Sequence, residues 1–139
     1  MKPAYEHFDH TADLGIRVRA ETLADLVAPA ADGLYAAIGK FVSAGTPESI
    51  ALNIAGDDPA VILRDFLAEL LDLFERGRRF ASAVEVSAFT DTGLTATAHT
   101  ELVDFERSAL HREVKAITYH ELAIRAIDGG YEATVIVDI

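Results

Sequence analysis

The sequence predicts an α+β domain, two layers deep, with two helices packed on a mixed or antiparallel β-sheet of about six strands. Three observations lead there. Apolar residues recur at helical spacing in only two stretches, 23–38 and 58–77. Alternation of period two precedes the first stretch and follows the second. No cysteine is present, so neither disulfides nor thiolate metal sites shape the fold. Half of the 139 residues are hydrophobic, enough for one domain, 1–139, to bury a core without staples.

The elements follow in order. Phe8 and Leu14–Ala20 read as strand, with Ile16 and Val18 alternating against Arg17 and Arg19. Thr22 offers an N-cap, and Asp25 three residues on completes a variant of the capping box. Leu23, Leu26, Val27, Ala30, Leu34 and Ile38 then mark a helix over 23–38. Pro29 inside it removes a backbone donor and predicts a kink or a frayed first turn. Residues 43–47 read as a loop and 49–54 as a short strand. Asp58-Pro59 is a strong helix start, and Gly77 a stop. Between them Ile62, Phe66, Leu70 and Phe74 form an apolar stripe. Residues 82–88 and 94–101 form a hairpin around Asp91-Thr92-Gly93. A polar connection, 103–112, leads to a second hairpin, 115–127 with 131–139, joined by Asp128-Gly129-Gly130.

Charge narrows the function. With 23 acidic against 12 basic side chains the net charge is −11, so the domain is not expected to grip nucleic acid by itself. Arg76, Arg78 and Arg79 form the one basic cluster, at a helix end where cations complement the dipole. An acidic domain suits a basic protein partner or a bound cation. Apolar runs carry internal charges and no apolar leader opens the chain, so no membrane span is expected and a cytoplasmic protein is. There is no glycine-rich loop ending in Lys-Ser/Thr and no Gly-x-Ser-x-Gly elbow.

Polar residues crowd three segments. Tyr5 to Ile16 carries two histidines and three acids beside a buried-looking run. Glu113 to His120 holds Lys115 and His120, and Val135 to Ile139 is an apolar strand broken only by Asp138. Asp13 and Asp138, with backbone or terminal oxygens, would suit a hard cation; a solvent-facing Asp138 satisfies the same pattern. His7, His10 and His120 fit either structural hydrogen bonding or acid/base work. On the strand reading, His120 shares a face with Thr118 and Leu122, opposite Lys115 and Tyr119. Lys115 suits an ion pair with Glu113 or a partner-facing charge.

Together the segments resemble the archease family. Asp9-His10-Thr11-Ala12-Asp13-Leu14-Gly15-Ile16 is similar to its N-terminal signature, Glu113 to His120 to its central one, and Val137-Asp138-Ile139 to its end. The resemblance spans the chain. It implies an accessory protein, not an enzyme, that activates an RtcB-type tRNA-splicing RNA ligase. That ligase attaches GMP from GTP to its own histidine before sealing RNA ends. The accessory protein would speed guanylylation, support multiple turnover and broaden nucleotide use. The resemblance also implies a divalent metal, calcium or magnesium with manganese compatible, held by Asp13, Asp138 and the backbone oxygen of Ile139. Lys115 matches a residue important for activation, while His10 and His120 lie within the signatures. The family's Asp-Pro-x-Arg-His pattern reads Asp104-Phe105-Glu106-Arg107-Ser108 here, without the proline or the histidine, and His111 follows three residues later. The competing readings are a stand-alone metal-dependent hydrolase using Asp13, Asp138 and His10, and a general chaperone.

Overall fold

A computed structural model describes residues 1–139. The chain opens with an antiparallel hairpin, β1 (Ala4–His10) and β2 (Asp13–Ala20), running from the Ala4–Arg19 pair to the His10–Asp13 pair. Thr11 and Ala12 form its turn, both with φ 30°. A two-residue hairpin turn of type I′ needs positive φ at both central positions, and its twist matches the flanking strands.

The helix α1 (Leu23–Ile38) follows, and the Asp25 N–H donates to Thr22 Oγ1 at 3.1 Å as the capping pattern predicts. Pro29 is buried inside an unbroken helix, with no frayed first turn. A short ribbon joins β3 (Gly39–Lys40) to β7 (Ala109–Leu110). The strand β4 (Ser43–Ala55) begins earlier than expected and takes in residues 43–47. Register shifts near Gly45, together with positive φ at Gly45 and Thr46, explain the loop-like sequence there: the strand is bulged.

The helix α2 (Pro59–Gly77) is capped by Asp58, whose Oδ1 accepts the Ala60 N–H at 2.9 Å. Its left-handed terminal residue is Arg78, not Gly77, with φ 55°. The Arg78 N–H bonds the Leu73 and Phe74 carbonyls, and its guanidinium stacks 4.3 Å from the Phe105 ring. These contacts hold a conformation that costs a side-chain-bearing residue energy. Next come β5 (Arg79–Phe89) and β6 (Gly93–Val103), then β8 (Ala116–Ile117), β9 (Ala123–Ile127) and β10 (Gly130–Asp138).

The continuous strand expected from Lys115 to Ile127 is interrupted. Residues 118–122 turn instead, with the His120 N–H donating to Thr118 Oγ1 at 3.2 Å and Glu121 at φ 50°. A threonine hydroxyl offers the backbone a local partner that competes with a ladder. His120 therefore shares no strand face with Thr118 and Leu122.

The α+β architecture is as expected, but its strands divide among separate antiparallel sheets. One runs β1-β2-β10-β8, with β9 also paired to β10; a second runs β4-β6-β5. The joining of β2 to β10, the first and last long strands, creates this division. Helix α1 packs on β1, β2 and β5, and α2 on β4, β5 and β6 as well as β8 and β9. The core between them holds Phe66, Ile16, Leu26, Leu34, Ile62 and Leu70, all fully enclosed. Each such side chain contributes about 1.5–3 kcal/mol through burial.

Candidate functional site at the end of the outer sheet face

Alternate residues of a strand face opposite sides of its sheet. Leu14, Ile16 and Val18 on β2, with Val135 and Val137 on β10, face the helices and belong to the core. Their neighbours, Asp13, Gly15, Ile136 and Asp138, therefore face outward. Register decides which of them meet. His10 pairs with Asp13, Leu14 with Val137, and Asp138 with Ala116. One step beyond Leu14–Val137 sets Asp13 beside Asp138, so His10, Asp13, Asp138 and Ala116 form a single row across four strands.

The row lies at the end of the outer face, and its polar members are half-buried. His10 Nδ1 stands 4.0 Å from Asp13 Oδ2, while His10 Nε2 lies 3.1 Å from Glu121 Oε2. The Nδ1 atom is buried and has no hydrogen-bond partner. Lys115 is tied to the same edge by its backbone, its N–H donating to the Asp138 carbonyl at 2.7 Å. Its side chain is exposed and pairs with no acid, Glu113 included. Ile139 is 37% exposed beside Asp138.

His7 and His10 point to opposite faces of the sheet. His7 faces the helix side, where its Nε2 lies 2.8 Å from the Gly33 carbonyl of α1. His120 is exposed, and its one hydrogen bond is the backbone contact to Thr118. The structure thus groups His10, Asp13, Asp138 and Lys115 and leaves His120 at the turn tip. Glu121 is the residue that sequence reasoning missed; it reaches His10 because its left-handed backbone reverses the chain.

Nowhere does the protein gather three or more histidine, cysteine or acidic side chains that could hold a metal. What the row offers is two carboxylates with backbone oxygens nearby. That donor chemistry fits a hard cation that keeps several waters, not an enclosed cage. A Ser49–His99–Glu85 chain, 2.9 and 3.1 Å apart, lies on the outer face of the three-stranded sheet, and none of its members lines a cavity.

The arginines at the end of α2 are engaged within the fold. Arg76 pairs with Asp72 at 2.7 Å, Arg78 stacks on Phe105, and Arg79 donates to the Thr46 carbonyl and pairs with Glu48 at 3.3 Å. The divergent loop is also built in. Asp104 Oδ1 accepts the Glu106 and Arg107 N–H groups. Ser108 Oγ accepts the Val42 N–H at 2.8 Å, so the serine anchors the loop to the start of β4. No helix is long and apolar enough to cross a membrane.

Comparison with known proteins agrees over the full length. Residues 5–139 match the family model described as the Archease protein family (MTH1598/TM1083). Protein archease of Methanopyrus kandleri is 32% identical, the alignment covering 97% of this chain and 99% of that protein. Protein archease of Pyrococcus abyssi is 33% identical, covering 97% and 98%. Among solved structures, the solution structure of Methanobacterium thermoautotrophicum protein 1598 superposes with a TM-score of 0.75 at 26% identity, covering both chains completely. The crystal structure of an archease from Thermotoga maritima, described as a possible chaperone, superposes with a TM-score of 0.69 at 16% identity, covering 96% of each chain.

Proposed function

This chain belongs to the archease family, and on that premise we propose that it is an accessory protein that activates an RtcB-type RNA ligase in the cytoplasm. The observation that carries the reading is the row His10–Asp13–Asp138 at an open sheet end, with Lys115 fastened beside it. The row is half-buried at the open end of a sheet and lines no cavity, so it can be presented to another protein's active centre. The chain does no ligation itself.

Asp13, Asp138 and the backbone oxygen of Ile139 would hold a divalent cation, calcium or magnesium, with manganese also compatible with oxygen donors. Such a cation supplies positive charge that offsets the two carboxylates where the ligase handles GTP phosphates. His10, held by Glu121, borders that position, and the exposed Lys115 ammonium offers a donor to a phosphate or to an acid of the ligase. The net charge of −11 suits an enzyme that is basic because it binds RNA.

The test is GMP attachment to the ligase of the same organism, with and without a substoichiometric amount of this protein and of its Asp138→Ala variant. The reading expects the wild type to raise the number of turnovers and the variant not to. Stimulation by both proteins would leave the partner in place and make Asp138 structural. If neither stimulates, the activator reading fails. The description of the Thermotoga neighbour as a possible chaperone favours a second reading. A chaperone would bind several unrelated proteins and would be indifferent to Asp13→Ala and Lys115→Ala.

A further inference from the structure

A cavity of about 340 Å³ lies beside the site without being part of it. It opens between the C-terminal ends of α1 and α2 and the connection from β7 to β8. Its walls are apolar: Ile38, Phe74, Val114 and Leu110. Leu110 is 50% exposed, a large aliphatic side chain left at a cavity mouth with nothing over it. Such an exposure at a concave, largely apolar surface is the pattern of an anchor pocket.

The polar rim has a sign. Glu75 and Glu113 border the cavity and pair with no basic group. The one arginine there, Arg112, is exposed and pairs with neither acid, its Nη1 donating to the Ala37 carbonyl at 2.9 Å. The backbone N–H groups of His111 and Arg112 bond the Ile38 carbonyl. Arg112 is thus occupied in capping α1, whose last turn carries no basic residue of its own. The two rim acids outnumber that single arginine, so with His111 counted as neutral the rim stays net negative.

We propose that this cavity is the docking pocket for the partner enzyme, receiving an apolar side chain flanked by lysine or arginine on the ligase surface. The inference rests on the activator reading and adds where the partner is held. Apolar walls with two unpaired acids complement a basic surface carrying an apolar anchor, whereas a second copy of this chain, at −11, would bring like charge to the rim. Position supports the assignment. Val114 lines the cavity and Lys115, the next residue, bonds the Asp138 carbonyl, so a partner seated here lies against the row of acids.

Binding of the full chain to the purified ligase, measured by biolayer interferometry at low and physiological salt, tests this. The variants are Leu110→Asp, the double reversal Glu75→Lys/Glu113→Lys, and Asp91→Lys in the β5–β6 turn as a charge control. Leu110 is half exposed, and the unfolding temperature of each variant is measured so that lost binding is not mistaken for lost folding. The expected result is a Kd raised about tenfold or more by Leu110→Asp, typical of losing a central anchor. The double reversal should weaken binding and flatten its salt dependence, with Asp91→Lys close to wild type. Wild-type binding that both cavity variants share overturns the pocket and leaves the activator reading standing. A change in the oligomeric state of the isolated chain on Leu110→Asp, with ligase binding intact, also overturns it and makes the cavity a seam between copies. A wild type that neither binds nor stimulates the ligase overturns both readings.

Discussion

Glu132 is the one buried charged residue in the protein, its side chain 5% exposed on β10. Its Oε2 accepts Arg19 Nε at 2.7 Å, and its Oε1 accepts Arg125 Nε and Nη2 at 3.0 and 2.6 Å. The three residues lock β2, β10 and β9 together across the outer face. Burial by itself would raise the carboxyl's pKa, but hydrogen bonds and charge from Arg125 and Arg19 outweigh it and hold the group below its ordinary 4.5. Replacement by glutamine keeps the shape and removes the charge. Hydrogen bonds to charged groups contribute about 1.5–3 kcal/mol each, and breaking a buried pair costs about 3–5 kcal/mol. The Arg19 and Arg125 side chains are 52% and 65% exposed and so regain water when released. The expected cost of Glu132→Gln is therefore nearer the low end, about 2–3 kcal/mol, or a Tm fall of roughly 6–12 °C for a domain of this size. The sign with pH is fixed. A carboxyl whose folded pKa is depressed contributes stability that is present above the unfolded value and lost as pH falls through the folded one. Thermal unfolding of both proteins from neutral pH downward should show the gap closing below the ordinary 4.5. A variant within about a degree of wild type at neutral pH, or a gap that widens in acid, refutes the argument.

Two further predictions concern the fold that carries the site. A β-carbon at Gly15 would run into Cζ and both Cε atoms of the Phe8 ring, which lies across it beneath the Arg17 guanidinium. Gly15→Ala should cost about 1–3 kcal/mol by overpacking, and Phe8→Leu in that background should recover part of it. Urea unfolding checks both, and equal stability of Gly15→Ala and wild type contradicts the contact. Tyr35 Oη accepts the buried Ala81 N–H at 2.9 Å, so Tyr35→Phe should cost about 1–3 kcal/mol by orphaning that amide. Burial, opposed by the Ala81 bond and reinforced by Asp32, pushes the phenol from 10.0 up to about 12. A raised folded pKa means stability is held below the unfolded value and lost as pH rises through the folded one. Wild type should lose stability between pH 10 and about 12 and the phenylalanine variant should lack that slope; parallel alkaline curves would count against it.

Local patterns were legible and long-range pairing was not. Both helices could be read from caps and periodicity because Thr22 and Asp58 act on amides two or three residues away. The bulged start of β4 could not, since Gly45 and Thr46 look like a turn and their place in a strand depends on pairing with β6. Gly77 ends the helix as its glycine suggested, but the left-handed cap that follows is Arg78, on which Phe105, far along the chain, stacks. The 118–122 turn was hidden by residues acceptable in a strand. With it went Glu121, whose approach to His10 joins segments separated by most of the sequence.

Asp13 and Asp138 show why the acids of the candidate site stood out in the sequence before any geometry. Like charges directly opposite each other on a sheet are destabilising. Neither acid has a lysine or arginine partner, and the nearest cationic candidate, His10, stands 4.0 Å from Asp13 and is itself engaged by Glu121. Two asparagines would satisfy the same row without repulsion. At Glu132, by contrast, the fold surrounds an acid with two arginines, so the chain has the means to neutralise carboxylates where it serves stability to do so. Leaving the acids at Asp13 and Asp138 uncompensated breaks a rule the same sheet obeys elsewhere, and such local violations concentrate at functional sites. A carboxylate within an otherwise apolar last strand was that violation in one dimension; the register between β2 and β10 supplies its counterpart in three.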